Sequence, residues 1–196
     1  MRRPSWSALA LLLPLAACGT AAVPMSYSPA VPPRPVLTAR PVVSVGPVMD
    51  ERGDGQANTS QFGTIRGGYG NPVRRLAAPM PVAEVVRQAF RDALAARGLL
   101  AGGNGAYELR VRILQYNASK LLRTEANVEL QGSLVNRATG AVAWTGTGRS
   151  DLVEGGSLFG TGVLADPEEL RGTMTRAMAA AIDEMLDRPD FASALR

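Results

Sequence analysis

The sequence of 196 residues contains no histidine, a single cysteine and a single lysine. Without histidine, the chain lacks the commonest transition-metal ligand and the usual general base of a serine or cysteine nucleophile. A lone cysteine excludes a disulfide within the chain and argues against a cysteine-based metal site. We therefore predict a protein that is not an enzyme and that has no metal site and no cofactor.

The single cysteine, Cys18, follows a short leucine-rich run near the N-terminus. Arg2 and Arg3 precede an apolar run over residues 6–15, which is the pattern of a secretory signal peptide. About ten apolar residues are too few to cross a bilayer core, which needs about twenty. The junction Leu15-Ala16-Ala17-Cys18 resembles the bacterial lipobox, in which small residues admit the processing peptidase and the cysteine receives lipid.

This resemblance implies that residues 1–17 are removed and that the mature chain is anchored to a membrane through lipid on Cys18. In bacterial lipoproteins, an aspartate after the cysteine favours retention in the inner membrane, but this chain has Gly19. We therefore expect the outer membrane, with the protein facing the periplasm, and the inner membrane is the alternative. An ordinary signal peptide, with Cys18 as a bystander, is the competing interpretation.

The charge of the chain gives little support for nucleic-acid binding. The formal net charge is +4, and Arg2 and Arg3 belong to the predicted signal peptide. Lys120 is outnumbered by twenty arginines, and alanine and glycine are abundant, which is typical of a coding bias. An exported and mildly basic protein is a poor candidate for binding DNA or RNA.

The composition divides the mature chain into a tether and one domain. Residues 18–40 are rich in proline and have little apolar periodicity, so they favour an extended tether. Residues 41–191 have the length of a single domain, and residues 192–196 are a short tail.

Periodicity within the domain predicts both strands and helices. A β-branched run predicts a first strand, and the long polar loop after it has room for one short strand. Strict alternation of apolar and polar residues then predicts three strands, with "NRATG" as a hairpin connection between the last two. The predicted strands are residues 41–48, 62–66, 106–114, 124–135 and 141–152.

Two segments have the one-sided apolar pattern of amphipathic helices. The first covers residues 81–97, with Gly98 at the position of a left-handed cap. The second begins after Asp166, which can cap it, has Pro167 at its first position, and ends at Arg188 and Pro189. The order β-(β)-α-β-β-β-α predicts an α+β, two-layer sandwich in which two helices cover a mainly antiparallel sheet.

Several of these segments together resemble the YajG-like family of bacterial envelope lipoproteins, over about residues 42–191. The shared features are the lipobox, "MDER" after the first strand, "ARGLLAGGNGAYEL" between helix and strand, the hairpin at "NRATG" and "DF" near the end. The resemblance implies a location in the envelope. The family has no established activity, so the resemblance implies no mechanism.

Candidate functional residues lie in three places. Asp50 and Arg52 follow the first strand and favour a structural ion pair over ligand binding. The predicted loop at residues 63–76 places Arg66, Tyr69, Arg74 and Arg75 on a glycine-rich backbone, and arginine and tyrosine are common at binding hot spots. An ordinary solvated loop is the alternative there. A second glycine-rich loop, at residues 155–162, carries the apolar pair Leu158 and Phe159, which could touch a partner.

We expect a lipid-anchored adaptor that binds an envelope protein or a cell-wall component through these loops. The alternative is a small-ligand carrier or an enzyme that uses Asp50, Arg52 and the loop at residues 155–162.

Overall fold

The computed structural model describes residues 25–33, 42–53, 57–156 and 165–195. The described residues form a two-layer α+β sandwich with a six-stranded sheet. In chain order the elements are β1 (Val43–Asp50), β2 (Gln61–Arg66), β3 (Pro72–Ala77), α1 (Val82–Ala96), β4 (Tyr107–Lys120), β5 (Arg123–Asn136), β6 (Val142–Gly156), α2 (Pro167–Leu186) and α3 (Pro189–Ser193).

The long strand β4 organises the sheet. The antiparallel strands β4, β5 and β6 form a meander on one side of it. On the other side, β1 pairs in parallel with the first half of β4, and β2 pairs in parallel with its last three residues. Strands β1 and β2 therefore lie end to end along one edge of β4, and β3 extends the sheet beyond β2.

The helices cover one face of the sheet and bury a continuous apolar core. Alternate residues of β4, including Leu109, Val111 and Ile113, point into this core, where they meet α2 side chains such as Met178 and Ile182. Because the period of a strand is two, the residues between them face away from the helices. The other face of the sheet is consequently polar and open among the described residues.

Close contact between α2 and the sheet depends on glycine. A Cβ atom added to Gly148 in β6 would lie 2.9 Å from the carbonyl carbon of Ala181 and still closer to its oxygen. Gly132 in β5 similarly faces the side chain of Met185. These two positions let the helix axis approach the sheet more closely than any side chain would allow.

Both predicted helices are confirmed, with the expected local signals at their ends. The Asp166 side chain accepts a hydrogen bond of 2.9 Å from the backbone N–H of Glu168, and Pro167 occupies the first turn of α2. Gly98 follows α1 with a φ of 70°, the left-handed conformation predicted for it.

The short strand predicted at residues 62–66 is confirmed as β2, but the predicted loop at residues 63–76 is wrong where residues 72–76 belong to β3 and pair with β2 in a hairpin. The turn is confined to Gly67 and the residues up to Asn71, where Gly70 adopts a φ of 81°. The residues of β3 are mostly exposed, so the strand has no apolar alternation that a sequence pattern could reveal. The candidate residues Arg66, Arg74 and Arg75 therefore lie on strands.

Several ends also differ from the sequence prediction. Strand β1 ends at Asp50, two residues later than predicted, and β4 continues to Lys120, although the predicted strand ends at residue 114. Strand β6 continues to Gly156, beyond the predicted strand end at residue 152. At the C-terminus, Pro189 begins the short helix α3, and Leu195, predicted to belong to a free tail, is buried in the core.

Part of the predicted tether packs against the domain. Met25 and Tyr27 are half-buried against the core, and the Tyr27 hydroxyl donates a hydrogen bond of 2.5 Å to Asp183 in α2. Residues 30–33 line a concave region beside the C-terminal end of α2. For residues 25–33, the chain is thus bound along the helical layer and does not extend freely.

Candidate functional site

The ion pair predicted between Asp50 and Arg52 is buried at the place where β1 ends and β2 begins. The Arg52 guanidinium donates to both carboxylate oxygens of Asp50, at 2.8 and 2.7 Å, and the Arg52 and Asp50 side chains are 5% and 12% exposed. It also donates to the backbone carbonyls of Gln61, at 2.8 Å, and Tyr116, at 3.1 Å. Arg52 therefore connects β1, β2 and β4 at a point where, in the described structure, no backbone ladder joins β1 to β2.

The electrostatics of Asp50 follow from this arrangement. Burial alone would raise the pKa of the Asp50 carboxyl, but the hydrogen bonds and the positive charge of Arg52 outweigh it and hold the pKa below its usual value. Asp50 is ionised at neutral pH, and both of its carboxylate oxygens are bound by Arg52. The pair is thus a structural connection and a poor source of acid or base catalysis.

A polar groove lies on the open face of the sheet, on the side away from the helices. Register places Arg75, Thr64 and Ser119 side by side on β3, β2 and β4. Three concave regions of about 340, 530 and 400 Å³ all include the Arg66 side chain. We call them together the Arg66 groove, defined by Gln61, Thr64, Arg66, Arg75, Ser119 and Arg123.

Two hydrogen bonds orient the Arg66 side chain within this groove. Its Nε donates to the Ser119 hydroxyl at 3.3 Å, and its Nη1 donates to the carbonyl oxygen of Gly70 at 3.1 Å. A guanidinium carries five N–H donors, so several remain for a ligand. The turn that carries Tyr69 borders the groove because Gly70 belongs to it.

The groove collects arginines that have no acidic partner in the described part of the chain. Ten of the fifteen arginines there form an ion pair with a carboxylate. The other five are Arg66, Arg74, Arg75, Arg91 and Arg123. Three of these define the groove, Arg74 is paired with the buried Ile65 and so lies on the other face of β3, and Arg91 is on α1. Among the described lining residues, Glu125 is the one carboxylate, so the groove is basic.

The structure thus brings some of the predicted partner-binding residues together and separates others. Arg66 and Arg75 share the groove, and Tyr69 is fully exposed at the turn of the hairpin. Arg74 is adjacent to Arg75 in the edge strand but lies on its other face, opposite Ile65. Leu158, Phe159 and Cys18 lie outside the described residues. Their predicted roles as contact points and as the lipid attachment site stay predictions.

The sequence carries no local signal for the remaining residues of the groove. Gln61, Ser119 and Arg123 carry no motif, and they meet only because β2 pairs with the end of β4 and β5 begins just beyond it. Ser119 is the sequence neighbour of Lys120, the single lysine of the chain. In the structure these neighbours point to opposite faces, and Lys120 forms an ion pair with Glu169 at the start of α2.

A second buried polar cluster joins the two helices and the N-terminal segment. Arg97 is completely buried and donates to Asp183 at 2.8 Å, to Asp187 at 2.9 Å and to the Tyr27 hydroxyl at 3.2 Å. Burial, with the hydrogen bond to Asp183, raises the pKa of Tyr27 to about 12, so its hydroxyl is protonated at neutral pH. The donors of Arg97 and Tyr27 are directed to partners within the cluster, which marks it as structural.

The described residues contain no group of three or more histidine, cysteine, aspartate or glutamate side chains placed to hold a metal ion. None of the helices in the described part of the chain is long and apolar enough to cross a membrane. The space between helices and sheet is filled by apolar side chains. The open sheet face with the Arg66 groove is therefore the surface with the clearest binding features.

Comparison with known proteins identifies the fold and no family. No family model and no curated protein matches the chain. A crystal structure of a Xanthomonas campestris protein of family DUF330 is similar, with a TM-score of 0.56 and 14% identity, over 83% of this chain and 88% of that chain.

Two other solved structures resemble the chain more weakly. The PelC dodecamer from Paraburkholderia phytofirmans has a TM-score of 0.44 and 14% identity, over 76% of this chain and 92% of that chain. Lipoprotein GNA1162 from Neisseria meningitidis has a TM-score of 0.30 and 14% identity, over 67% of this chain and 90% of that chain. These two similarities are too weak to support a conclusion, and the YajG-like resemblance stays a prediction. The comparisons show that the chain shares its α+β sandwich fold with the Xanthomonas campestris protein.

Proposed function

We propose that this protein is a lipid-anchored lipoprotein of the bacterial envelope that binds a periplasmic partner without catalysing a reaction. The Arg66 groove carries this proposal, because its arginines have no acidic partner among the described residues and it lies on a sheet face that no described helix covers. The anchor is proposed from the lipobox-like junction at Cys18 and from the basic and apolar residues before it. We place the anchor in the outer membrane, facing the periplasm, because Gly19 follows the cysteine.

The position of the N-terminal segment supports an orientation in which the groove faces a partner. Tyr27 and Met25 bind to the helical layer, on the side of the sheet opposite to the groove. Met25 lies seven positions after Cys18, and a fully extended chain spans at most about 3.6 Å per residue, or about 25 Å here. A lipid on Cys18 would therefore keep the helical layer near the membrane and direct the open sheet face away from it.

The alternative function, a small-ligand carrier or an enzyme, has less support. Arg52 lines one end of the groove, but its guanidinium is bound by Asp50 and by two backbone carbonyls. Of the glycine-rich loop at residues 155–162, only Gly155 and Gly156 are among the described residues, and they belong to β6. A deep enclosed pocket that includes Asp50 would favour this alternative over an adaptor.

Crosslinking in intact cells tests the partner-binding role. We expect the wild-type protein to form discrete crosslinks with an envelope component, and the triple variant Arg66→Ala/Tyr69→Ala/Arg75→Ala to lose them. Arg91→Ala is the matched control, because Arg91 is also an arginine without an acidic partner among the described residues but lies on α1. Crosslinks that persist unchanged in the triple variant would remove this surface from the proposed function.

The membrane anchor needs a separate experiment. Cys18→Ser should abolish metabolic labelling with a radioactive fatty acid and move the protein from the membrane fraction to the soluble fraction. Labelling or membrane attachment that survives this substitution would contradict the lipobox interpretation. The result does not depend on the groove, so the two halves of the proposal can be judged separately.

A further inference from the structure

We propose that the Arg66 groove binds an extended acidic segment of a partner protein, a specification that rests on the proposed function. The first reason is the distribution of charge. Arg75 is on β3, Arg66 on β2 and Arg123 at the start of β5, and the strand order is β3-β2-β4-β5. Adjacent strands lie about 4.8 Å apart, so the distance across the sheet from β3 to β5 is about 14 Å.

This spacing fits a peptide better than a compact anion. An extended chain rises about 3.3 Å per residue and places alternate side chains on one face, about 7 Å apart. Two or three carboxylates at alternate positions of a peptide that crosses the strands would therefore match the row of arginines. A single phosphate group could not contact all three arginines at once, because they lie on strands that span about 14 Å across the sheet.

The other lining groups suit a polypeptide backbone. Gln61, Thr64 and Ser119 offer neutral donors and acceptors between the arginines, and peptide N–H and C=O groups need such partners when they leave water. Apolar side chains border the groove at two points: Leu122 is half-exposed next to Arg123, and Tyr69 is fully exposed on the β2–β3 turn. Contacts of this kind are useful to a protein partner and unnecessary for an inorganic ion.

The Arg66 side chain is already oriented to bind a carboxylate. The hydrogen bonds to Ser119 and Gly70 orient its side chain, so little rotamer freedom is lost when a ligand binds. The unused N–H donors of its guanidinium can form a charge-assisted, bidentate contact with a carboxylate. Arg66 is consequently the residue whose loss should weaken binding most.

The experiment uses the full chain in detergent and two fluorescein-labelled octapeptides, read by fluorescence anisotropy. In one peptide glutamate alternates with valine, and in the other glutamine replaces every glutamate. We expect the glutamate peptide to bind at least roughly tenfold more tightly than the glutamine peptide, which corresponds to about 1.4 kcal/mol. Higher ionic strength should weaken binding of the glutamate peptide more than binding of the glutamine peptide.

Three variants with the same change of charge test whether the glutamate peptide binds in the groove. Arg66→Gln and Arg123→Gln should each lower the affinity for the glutamate peptide by at least fivefold, roughly, whereas Arg91→Gln should leave this affinity unchanged. Arg123 is exposed at a hairpin end and has no side-chain hydrogen bond or ion pair in the described structure, so its replacement tests binding even if Arg66→Gln impairs folding. Thermal melts of all three variants serve as the folding control.

Four results of the peptide-binding experiment would overturn the proposal. These are equal affinity for the two peptides, no binding of either, displacement of the glutamate peptide by an equal concentration of inorganic phosphate, and weakening by Arg91→Gln as large as that by Arg66→Gln. Self-association that Arg66→Gln abolishes would assign the groove to a second copy of the chain and would also overturn it. If cellular crosslinks depend on the groove but acidic peptides do not bind, the adaptor function stands and only the acidic chemistry of the partner is wrong.

Discussion

The substitution Asp50→Asn should destabilise the fold substantially, because it leaves Arg52 buried without its counter-charge. The asparagine keeps one oxygen, in the position that now accepts from Arg52 Nε at 2.8 Å. It replaces the other oxygen, 2.7 Å from Nη2, with an amide NH₂ group that faces another donor. Loss of one charge-assisted hydrogen bond costs about 1.5–3 kcal/mol, and removal of one partner from a fully buried pair costs about 3–5 kcal/mol.

The expected effect lies in the lower part of this range. The Asp50 side chain retains 12% exposure, and Arg52 keeps the carbonyl oxygens of Gln61 and Tyr116. We therefore expect a loss of about 2–3 kcal/mol in the free energy of unfolding, or a decrease of about 5–10 °C in melting temperature for a domain of this size. The assay is urea denaturation followed by circular dichroism, with Asp151→Asn as control. Asp151 pairs with Arg149 at the surface, so this control should cost less than about 0.5 kcal/mol.

The pH dependence gives a second, independent measure of the same pair. Because the folded-state pKa of Asp50 is below its unfolded value of about 3.9, the ion pair contributes fully above that value and is lost as pH falls through the folded pKa. The stability gap between wild type and Asp50→Asn should thus stay constant from pH 7 to about pH 5 and should narrow only below about pH 4. Two results would refute the assignment of Arg52 as a buried connection between strands. One is a loss of unfolding free energy in Asp50→Asn no larger than that in Asp151→Asn, and the other is a loss that disappears above about pH 5.

Three further predictions concern the helical layer. Gly148→Ala should push α2 away from the sheet and cost about 1–3 kcal/mol in urea denaturation, whereas Gly102→Ala, where an added Cβ meets no atom within 4 Å, should change stability by less than about 0.5 kcal/mol. Tyr27→Phe removes the hydrogen bonds to Asp183 and Arg97, so it should cost about 1–2 kcal/mol and speed amide exchange over residues 25–33, while Tyr69→Phe should do neither. Because the pKa of Tyr27 is raised to about 12, its contribution should be complete below about pH 10 and be lost as pH rises through about 12; a loss below about pH 9 would contradict this. Asp166→Ala should cost about 1 kcal/mol by removing the cap of α2, and an unchanged melting temperature would mean that the cap is dispensable.

The helices and the meander could be predicted from the sequence because their apolar faces follow a strict period. Alternation in β4, β5 and β6 and the one-sided pattern of α1 and α2 arise from burial on one face only. The ends of strands and the exposed strand β3 are predicted less accurately, because their local composition resembles that of a loop. Strand β3 is an exposed edge strand rich in arginine, so its hairpin with β2 has the composition of a loop.

The candidate site could be predicted only in part, because it depends on pairing between distant segments. The composition around residues 63–76 predicts Arg66 and Arg75 as candidates, and the spacing of Asp50 and Arg52 predicts the ion pair between them. Ser119 and Arg123 join the groove through the parallel pairing of β2 with the end of β4, which leaves no local signal in the sequence. The binding of Tyr27 to Arg97 joins residues 70 positions apart, and only the fold brings them together.

Site-specific photocrosslinking in living cells tests the central claim most directly. The photoreactive amino acid p-benzoylphenylalanine would replace either Tyr69, at the edge of the Arg66 groove, or Arg91, on the helical layer. We predict a discrete crosslinked species from the Tyr69 position, lost when Arg66→Gln is added, and none from the Arg91 position. Equal crosslinking from both positions, or a species from the Tyr69 position that survives Arg66→Gln, would contradict a partner-binding role for the groove.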